Sequence, residues 1–387
     1  MKSVELFTGA GGLGIGVGKA GFSHAAVVEF DRWCCDTIRE NQRNRHPAVK
    51  HWHVNQMDVR SFDYSTLSDT IDLLAGGPPC QPFSLGGKHK AHYDERDMFP
   101  EVVRAMRELA PKAILIENVK GLLRRSFSEY LKYVLLQMTY PEVLLKNGES
   151  QESHFSRLEQ HESASSKSGL NYKLSYAILN AANYGVPQKR ERVFFVGFRS
   201  DLGIEWNFKN DAPPTHSSEA LIWDKWISED YWRRHKIIKP TVPHGLTNKI
   251  ATYKEQEPPV LEAWRTVRDS IGDLPTPTIG GNKQVSDHVL KMGAREYKGH
   301  NGSPYDEPAK TLKAGVHGVP GGENMLRYED GSVRYFTVRE SARLQCFPED
   351  YVFHGSWSEA MRQLGNAVPV ELAYCIAKSV ALKLNRR

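Results

Sequence analysis

The 387-residue chain is 40% hydrophobic and 25% charged, which excludes a disordered or fibrous polypeptide and leaves apolar material for two structural units, or for one large domain with an insertion. Its net charge of +5 permits a polyanionic partner without demanding one. Five cysteines (Cys34, Cys35, Cys80, Cys346 and Cys375) form no C-x-x-C pair, and no apolar run approaches the ~20 residues that span a bilayer, so a cytoplasmic chain with reduced thiols and no membrane segment is expected.

In chain order, short apolar runs alternate with amphipathic stretches: "SVELF", a glycine loop with "IGVGKAGF", "AAVVEF", "WCCDTIRENQ", "IDLLAGG", "MFPEVVRAMRELA" and "KAILIENV". Strands alternating with helices predict an α/β, Rossmann-like domain with a mostly parallel sheet, whose ligands sit at the carboxyl ends of the strands. Three of those ends carry polar or turn-forming residues, at Gly9, Cys80 and Glu117. Residues 146–171 are rich in Ser, Glu, Gln and His and read as a solvated insertion with no catalytic role. Residues 205–333 lose the βα rhythm and scatter Trp206, Trp223, Trp226, Trp232 and Trp264 among prolines and glycines, which predicts a second, smaller, irregular domain. Amphipathic helices resume in 334–387, so the first domain, 1–204, is expected to be completed there.

"FTGAGGLG" holds the G-x-G-x-x-G spacing at Gly9, Gly11 and Gly14, with Glu29 closing the next strand. Glycines admit a ligand close to the backbone and an acid at that place binds ribose hydroxyls, so a dinucleotide and another adenosine cofactor both fit. Asp58 is a third candidate contact or a surface turn residue. Cys80, in the stiff turn "GGPPCQPFS", is either a packed thiol or a nucleophile held at a strand end. Glu117, after "AILI", is a solvated carboxylate or a cleft acid; Arg190 and Arg192 share one face if the strand "RVFFVGF" has begun. The histidines of "HWH" and "HKAHYDERD" lack a matching ligand frame and predict no metal site.

Taken together and in this order, "FTGAGGLG", "GGPPCQPFS", "ENV", "QKRER", "RESARLQCFP" and "QLGNAVPV" resemble the motifs of the cytosine-C5 methyltransferase family of bacterial modification enzymes. The resemblance implies methyl transfer from S-adenosylmethionine to C5 of a cytosine flipped out of a specific short duplex DNA sequence, without a metal. It implies Cys80 as the nucleophile that adds to C6, Glu117 as the acid at N3 with a pKa raised by burial, Arg192 at the cytosine carbonyl, and Arg190 supporting the loop or the DNA backbone. The Pro78 carbonyl would face the cytosine amino group. Gln81 and Ser84 would lie near DNA phosphates, and Gly86 stands where the family often has a small polar residue. Phe7, Gly9, Gly11, Gly12, Leu13, Glu29, Asp58, Val59, Pro79, Met98, Asn366 and Val368 would line the S-adenosylmethionine pocket, while the other four cysteines pack.

Residues 205–333 would then be the target-recognition domain, with "YWRRHK" (231–236) and "HGVPGGENMLR" (317–327) as candidate phosphate and base contacts. A monomer acting beside a cognate restriction endonuclease is the family habit. A tRNA cytosine-C5 methyltransferase is the alternative, disfavoured by the length of 205–333. A nicotinamide oxidoreductase would leave "PPCQPFS", "ENV" and "QKRER" unexplained.

Overall fold

The computed structural model describes residues 1–79, 97–164, 169–315 and 324–386. They divide into two compact units: Met1–Leu179 with Glu191–Ala212 and Asp350–Arg387, and Asn180–Arg190 with Pro213–Glu349.

The strands of the first stretch of chain are β1 (Lys2–Leu6), β2 (Ser23–Glu29), β3 (Val54–Gln56), β4 (Leu73–Gly76), β5 (Ala113–Val119) and β6 (Tyr172–Asn180). Next come the short β7 (Gln188–Lys189) and then β8 (Glu191–Arg199). The main sheet has seven strands in the order β3-β2-β1-β4-β5-β8-β6. Neighbours from β3 to β5 pair in parallel, and β8 runs antiparallel to β5 with Arg192 opposite Val119. The inner strands "VEL", "LLAG" and "AILIE" are buried along their length, as parallel strands covered on both faces must be.

The helices of this unit include α1 (Gly12–Lys19), α2 (Arg32–Arg43), α3 (Phe99–Leu109), α4 (Ser128–Thr139) and α5 (Gln151–Ser163). In α2 and α3 the apolar residues form one stripe that faces the sheet. In α1 two glycines, Gly14 and Gly16, serve close packing instead. A Cβ on Gly16 would lie 2.5 Å from Ala373 Cβ and 2.7 Å from the Val370 oxygen, so α1 lies directly on the helix Val370–Asn385.

The expectation of a merely solvated insertion at 146–171 is corrected. Residues 151–163 form α5, started by the Ser150 side chain accepting from the Ser153 N–H. Leu158 and Phe155 pack on Tyr133, Leu136 and Tyr140, and the buried His154 ring bonds the Tyr133 hydroxyl and the Val143 carbonyl. Polar composition concealed one apolar stripe.

The second unit has its own cores. Leu221, Trp226, Tyr231, Trp232 and Ile250 form one, while Val267, Ile271, Ala309, Leu312, Leu326, Phe336 and Leu344 form another. "YWRRHK" belongs to this framework: Tyr231 and Trp232 are buried, Arg233 pairs with Asp230, Arg234 with Asp224 and Asp269, and His235 with Asp269. Arg234 and His235 are thus tied to acids of this unit, while the Arg233 side chain, paired with Asp230, is 69% exposed. Of "HGVPGGENMLR", residues 317–323 lie outside the described residues, and Met325–Arg327 is a strand with Met325 and Leu326 buried.

Unit boundaries depart from 205 and 333. Residues 180–190 join the second unit because β7 pairs with Ala309–Lys310. Residues 334–349 do so because Thr337 and Arg339 bond the 286–288 segment.

Candidate active site

Reversal of strand order between β1 and β4 creates the crevice in which ligands of doubly wound sheets bind. Here β1 ends in Phe7 at φ 56° and in Gly9 and Gly11 at φ 57° and 97°, and β4 ends in Gly76-Gly77-Pro78-Pro79. A bulky residue held in the left-handed region is strain of the kind found at ligand sites. One cavity of about 710 Å³ opens at this point, a size within the range of cofactor sites.

At one side of the cavity stand Phe7, Gly9, Leu13, Glu29, Phe30, Asp58 and Val59. Glu29 accepts from the Gly9 and Asp31 N–H groups at 2.7 Å each, and burial, against those bonds, raises its pKa. Asp58 is gripped by the Arg60 guanidinium through several bonds, which lowers its pKa. Phe30 directly follows Glu29 and is 74% exposed, an aromatic face offered to the cavity.

At the other side stand Pro78, Pro79, Glu117, Asn118 and Arg192. Antiparallel pairing of β5 and β8 puts Glu117 and Arg192 on the same face as diagonal neighbours, and the Arg192 Nε lies 3.0 Å from the Glu117 Oε1. A Cβ on Gly77 would stand 3.2 Å from Glu117 Oε2 and would crowd that carboxylate. Asn118 donates from Nδ2 to the Pro78 carbonyl at 3.2 Å and accepts from the Val119 N–H, fixing the turn that leads to Cys80. Cys80, Gln81, Ser84 and Gly86 lie outside the described residues.

Met98, Asn366 and Val368 also line the cavity, so the residues proposed for the cofactor converge on it except Gly11 and Gly12, which form the turn into α1 and its first residue. Arg190 does not reach it. It lies between β7 and β8, in neither strand, and its buried guanidinium donates to the Leu312 carbonyl within the second unit. Arg190 and Arg192 therefore share no face, and a wholly buried Arg190 holds its own unit together rather than meeting DNA phosphates. Sequence reasoning passed over Phe30, Arg60 and Asn118; an aromatic next to the strand-end acid was the available signal for the first. Burial keeps the thiols of Cys34, Cys35 and Cys375 protonated, pushing Cys35 to about 12 and Cys375 to about 11. Among the described residues no His, Cys, Asp and Glu group is arranged to hold a metal ion, and no helix is long and apolar enough to cross a membrane.

Sheet order, glycine-lined crevice and strand-end acids define the Rossmann-like methyltransferase class. Residues 1–140 and 147–381 match the C-5 cytosine-specific DNA methylase family, and the chain belongs to that family. It is 31% identical over 400 residues to the Type II methyltransferase M.Eco47II of Escherichia coli, covering 99% of this chain and 80% of that one. It is 30% identical to the Type II methyltransferase M.NgoMIV of Neisseria gonorrhoeae, covering 99% and 98%. The solved S. pombe Dnmt2 methyltransferase superimposes with a TM-score of 0.55 at 17% identity, over 100% of this chain and 99% of that one, a likeness of fold alone. The chain is thus a DNA (cytosine-5-)-methyltransferase.

Proposed function

We propose that this enzyme uses S-adenosylmethionine to methylate C5 of a flipped-out cytosine in one short duplex sequence, as the modification partner of a restriction endonuclease. The observation that carries the reading is a single cavity joining an adenosine-type wall (Glu29, Phe30, Asp58) to the Glu117–Arg192 pair beside Pro79, the residue before Cys80. The wall suits the cofactor. Glu29 would accept from ribose hydroxyls, Asp58 from the adenine amino group, and the Phe30 ring would cover the purine. Bound S-adenosylmethionine supplies an electrophilic methyl group.

The chain's own residues would do the rest. The Cys80 thiolate adds to C6, moving the C5=C6 electron pair to C5, while Glu117 gives a proton to N3 and Arg192 donates to the carbonyl oxygen. Once C5 carries the methyl group that S-adenosylmethionine supplies, with S-adenosylhomocysteine left behind, loss of the C5 proton to solvent would expel the Cys80 thiolate and restore the double bond, and the N3 proton would return to Glu117. The Pro78 carbonyl, already held by Asn118, keeps a second lone pair for the cytosine amino group. A monomer is proposed.

Bisulfite sequencing of DNA from a host without its own cytosine-C5 methylation tests this. Expression of the intact chain should protect cytosines at one recurring short sequence, and Cys80→Ser should protect none while still binding S-adenosylmethionine. Protection by the Cys80→Ser variant would overturn the covalent step; no protection by the soluble intact chain would overturn the reading.

A further inference from the structure

The second unit contains one long segment, 276–300, with neither helix nor named strand, yet its fold is closely fixed. Its base is held by buried groups. The His288 ring bonds Thr337 Oγ1 at 2.9 Å and the Pro275 carbonyl at 2.7 Å, and Arg339, 1% exposed, donates to the Ser286 carbonyl at 3.2 Å and to its hydroxyl at 2.9 Å. The Asp287 carbonyl accepts from the Arg339 N–H, and the Asp287 carboxylate stands 3.9 Å from its guanidinium. Further out, Leu290 N–H bonds the Thr278 carbonyl, Asn282 accepts from Gln284 and Val285, and the Tyr297 and His300 rings stack at 4.4 Å.

Burying a guanidinium costs several kcal/mol unless its donors are met, so this anchoring fixes a loop that has little core of its own. What the loop displays is cationic and apolar. Lys283, Lys291, Arg295 and Lys298 stand against Asp287 and Glu296, with Ile279 70% and Met292 64% exposed. Asp287 is already turned to Arg339, and no bond joins Lys283, Arg295 or Lys298 to another described residue. In "YWRRHK", by contrast, Arg233, Arg234 and His235 each meet an acid of the same unit.

We infer that 276–300 is the loop with which the second unit holds and reads duplex DNA: Lys283, Arg295 and Lys298 meet phosphates, and Ile279 and Met292 meet base edges. Charge complementarity selects the polyanion, and exposed apolar side chains between cations suit groove contacts such as a thymine methyl group. The inference rests on the DNA-methyltransferase reading.

The test uses the full chain and its cognate duplex, with the sequence taken from the bisulfite pattern. The charge variant Lys283→Ala/Arg295→Ala/Lys298→Ala should bind at least about tenfold more weakly, and the slope of log K against log salt should flatten by about 2–3, each lost phosphate contact removing roughly 0.9. Its thermal midpoint and S-adenosylmethionine affinity should match the parent, which separates lost contacts from a lost fold. Parental affinity and slope in this variant overturn the inference. The apolar variant Ile279→Ala/Met292→Ala should protect additional related sequences; an unchanged pattern overturns the base-edge assignment. Failure of the function itself would show differently, as absence of protection by the unsubstituted chain.

Discussion

Helix α1 offers two glycines whose replacement by alanine should have opposite effects. Gly16 has Ala373 Cβ at 2.5 Å, Tyr374 N at 2.7 Å and the Val370 oxygen at 2.7 Å from where its Cβ would stand, whereas nothing lies within 4 Å of the corresponding point at Gly18. Alanine gains up to about 1 kcal/mol over glycine within a helix, and that gain applies to both sites at most in equal measure. At Gly16 the obstacles include backbone of the helix Val370–Asn385, which cannot rotate away. Restoring an ordinary carbon contact of about 3.5 Å needs a displacement of about 1 Å, and overpacking of this kind costs about 1–3 kcal/mol. The two variants should therefore differ by roughly 1–3 kcal/mol, or about 2–12 °C at roughly 2–4 °C per kcal/mol for a unit of this size. Because α1 begins at the loop of Gly9 and Gly11, Gly16→Ala should also weaken S-adenosylmethionine binding while Gly18→Ala leaves it intact. Thermal melts of the two proteins and calorimetric titration with the cofactor provide the comparison. A Gly16→Ala protein that melts at or above Gly18→Ala would refute the packing argument.

Three more substitutions follow from the first unit. Glu5 is fully buried on β1, and burial, against a backbone hydrogen bond from Gly14, raises its pKa well above 4.5. From about pH 4.5 upward the native state therefore keeps a proton that the unfolded chain has lost, and stability falls as pH rises through that window. Glu5→Gln removes this loss, so urea unfolding should show it gaining on the parent between about pH 5 and pH 7; a constant difference would refute the assignment. Glu29→Gln leaves one oxygen where two now accept the Gly9 and Asp31 N–H groups. At about 1.5–3 kcal/mol for a charged hydrogen bond, S-adenosylmethionine affinity should fall roughly tenfold or more, and a change under about threefold would count against Glu29 as a cofactor residue. Leu158→Ala should cost about 2–5 kcal/mol in chemical unfolding, because Leu158 is 0% exposed within the α4–α5 core; a cost near zero would return 146–171 to the status of a solvated insertion.

Local spacing revealed what local chemistry controls. The strand ends at Gly9, Glu29, Pro79 and Glu117 were legible because apolar runs stop there in glycine, proline or acid, and a doubly wound sheet brings such ends to one crevice. Features set by distant partners were not legible. "YWRRHK" resembles a free basic patch only until Asp224 and Asp269 are known to face it. Arg190 and Arg192 stand two apart in one motif, yet the chain passes from one unit to the other between them, so one is buried on Leu312 and the other meets Glu117.

That last separation bears on the proposed chemistry. An acid expected to protonate N3 stands 3.0 Å from a guanidinium, a neighbour that favours the ionised carboxylate. Acid and cation are already side by side on β5 and β8, where neither side chain is more than 15% exposed. Under the proposed mechanism a cytosine would draw on both, its carbonyl oxygen taking the Arg192 donors and N3 taking the Glu117 proton. Entry of the base would then loosen the ion pair at the moment the acid is needed, coupling protonation of Glu117 to occupancy of the site. Arg192→Lys keeps the positive charge but not the planar fork. Under this coupling it should lower kcat more than it raises KM for DNA, and move the pH profile of methyl transfer. A variant changed only in KM, with the parental pH profile, would show that Arg192 does no more than bind.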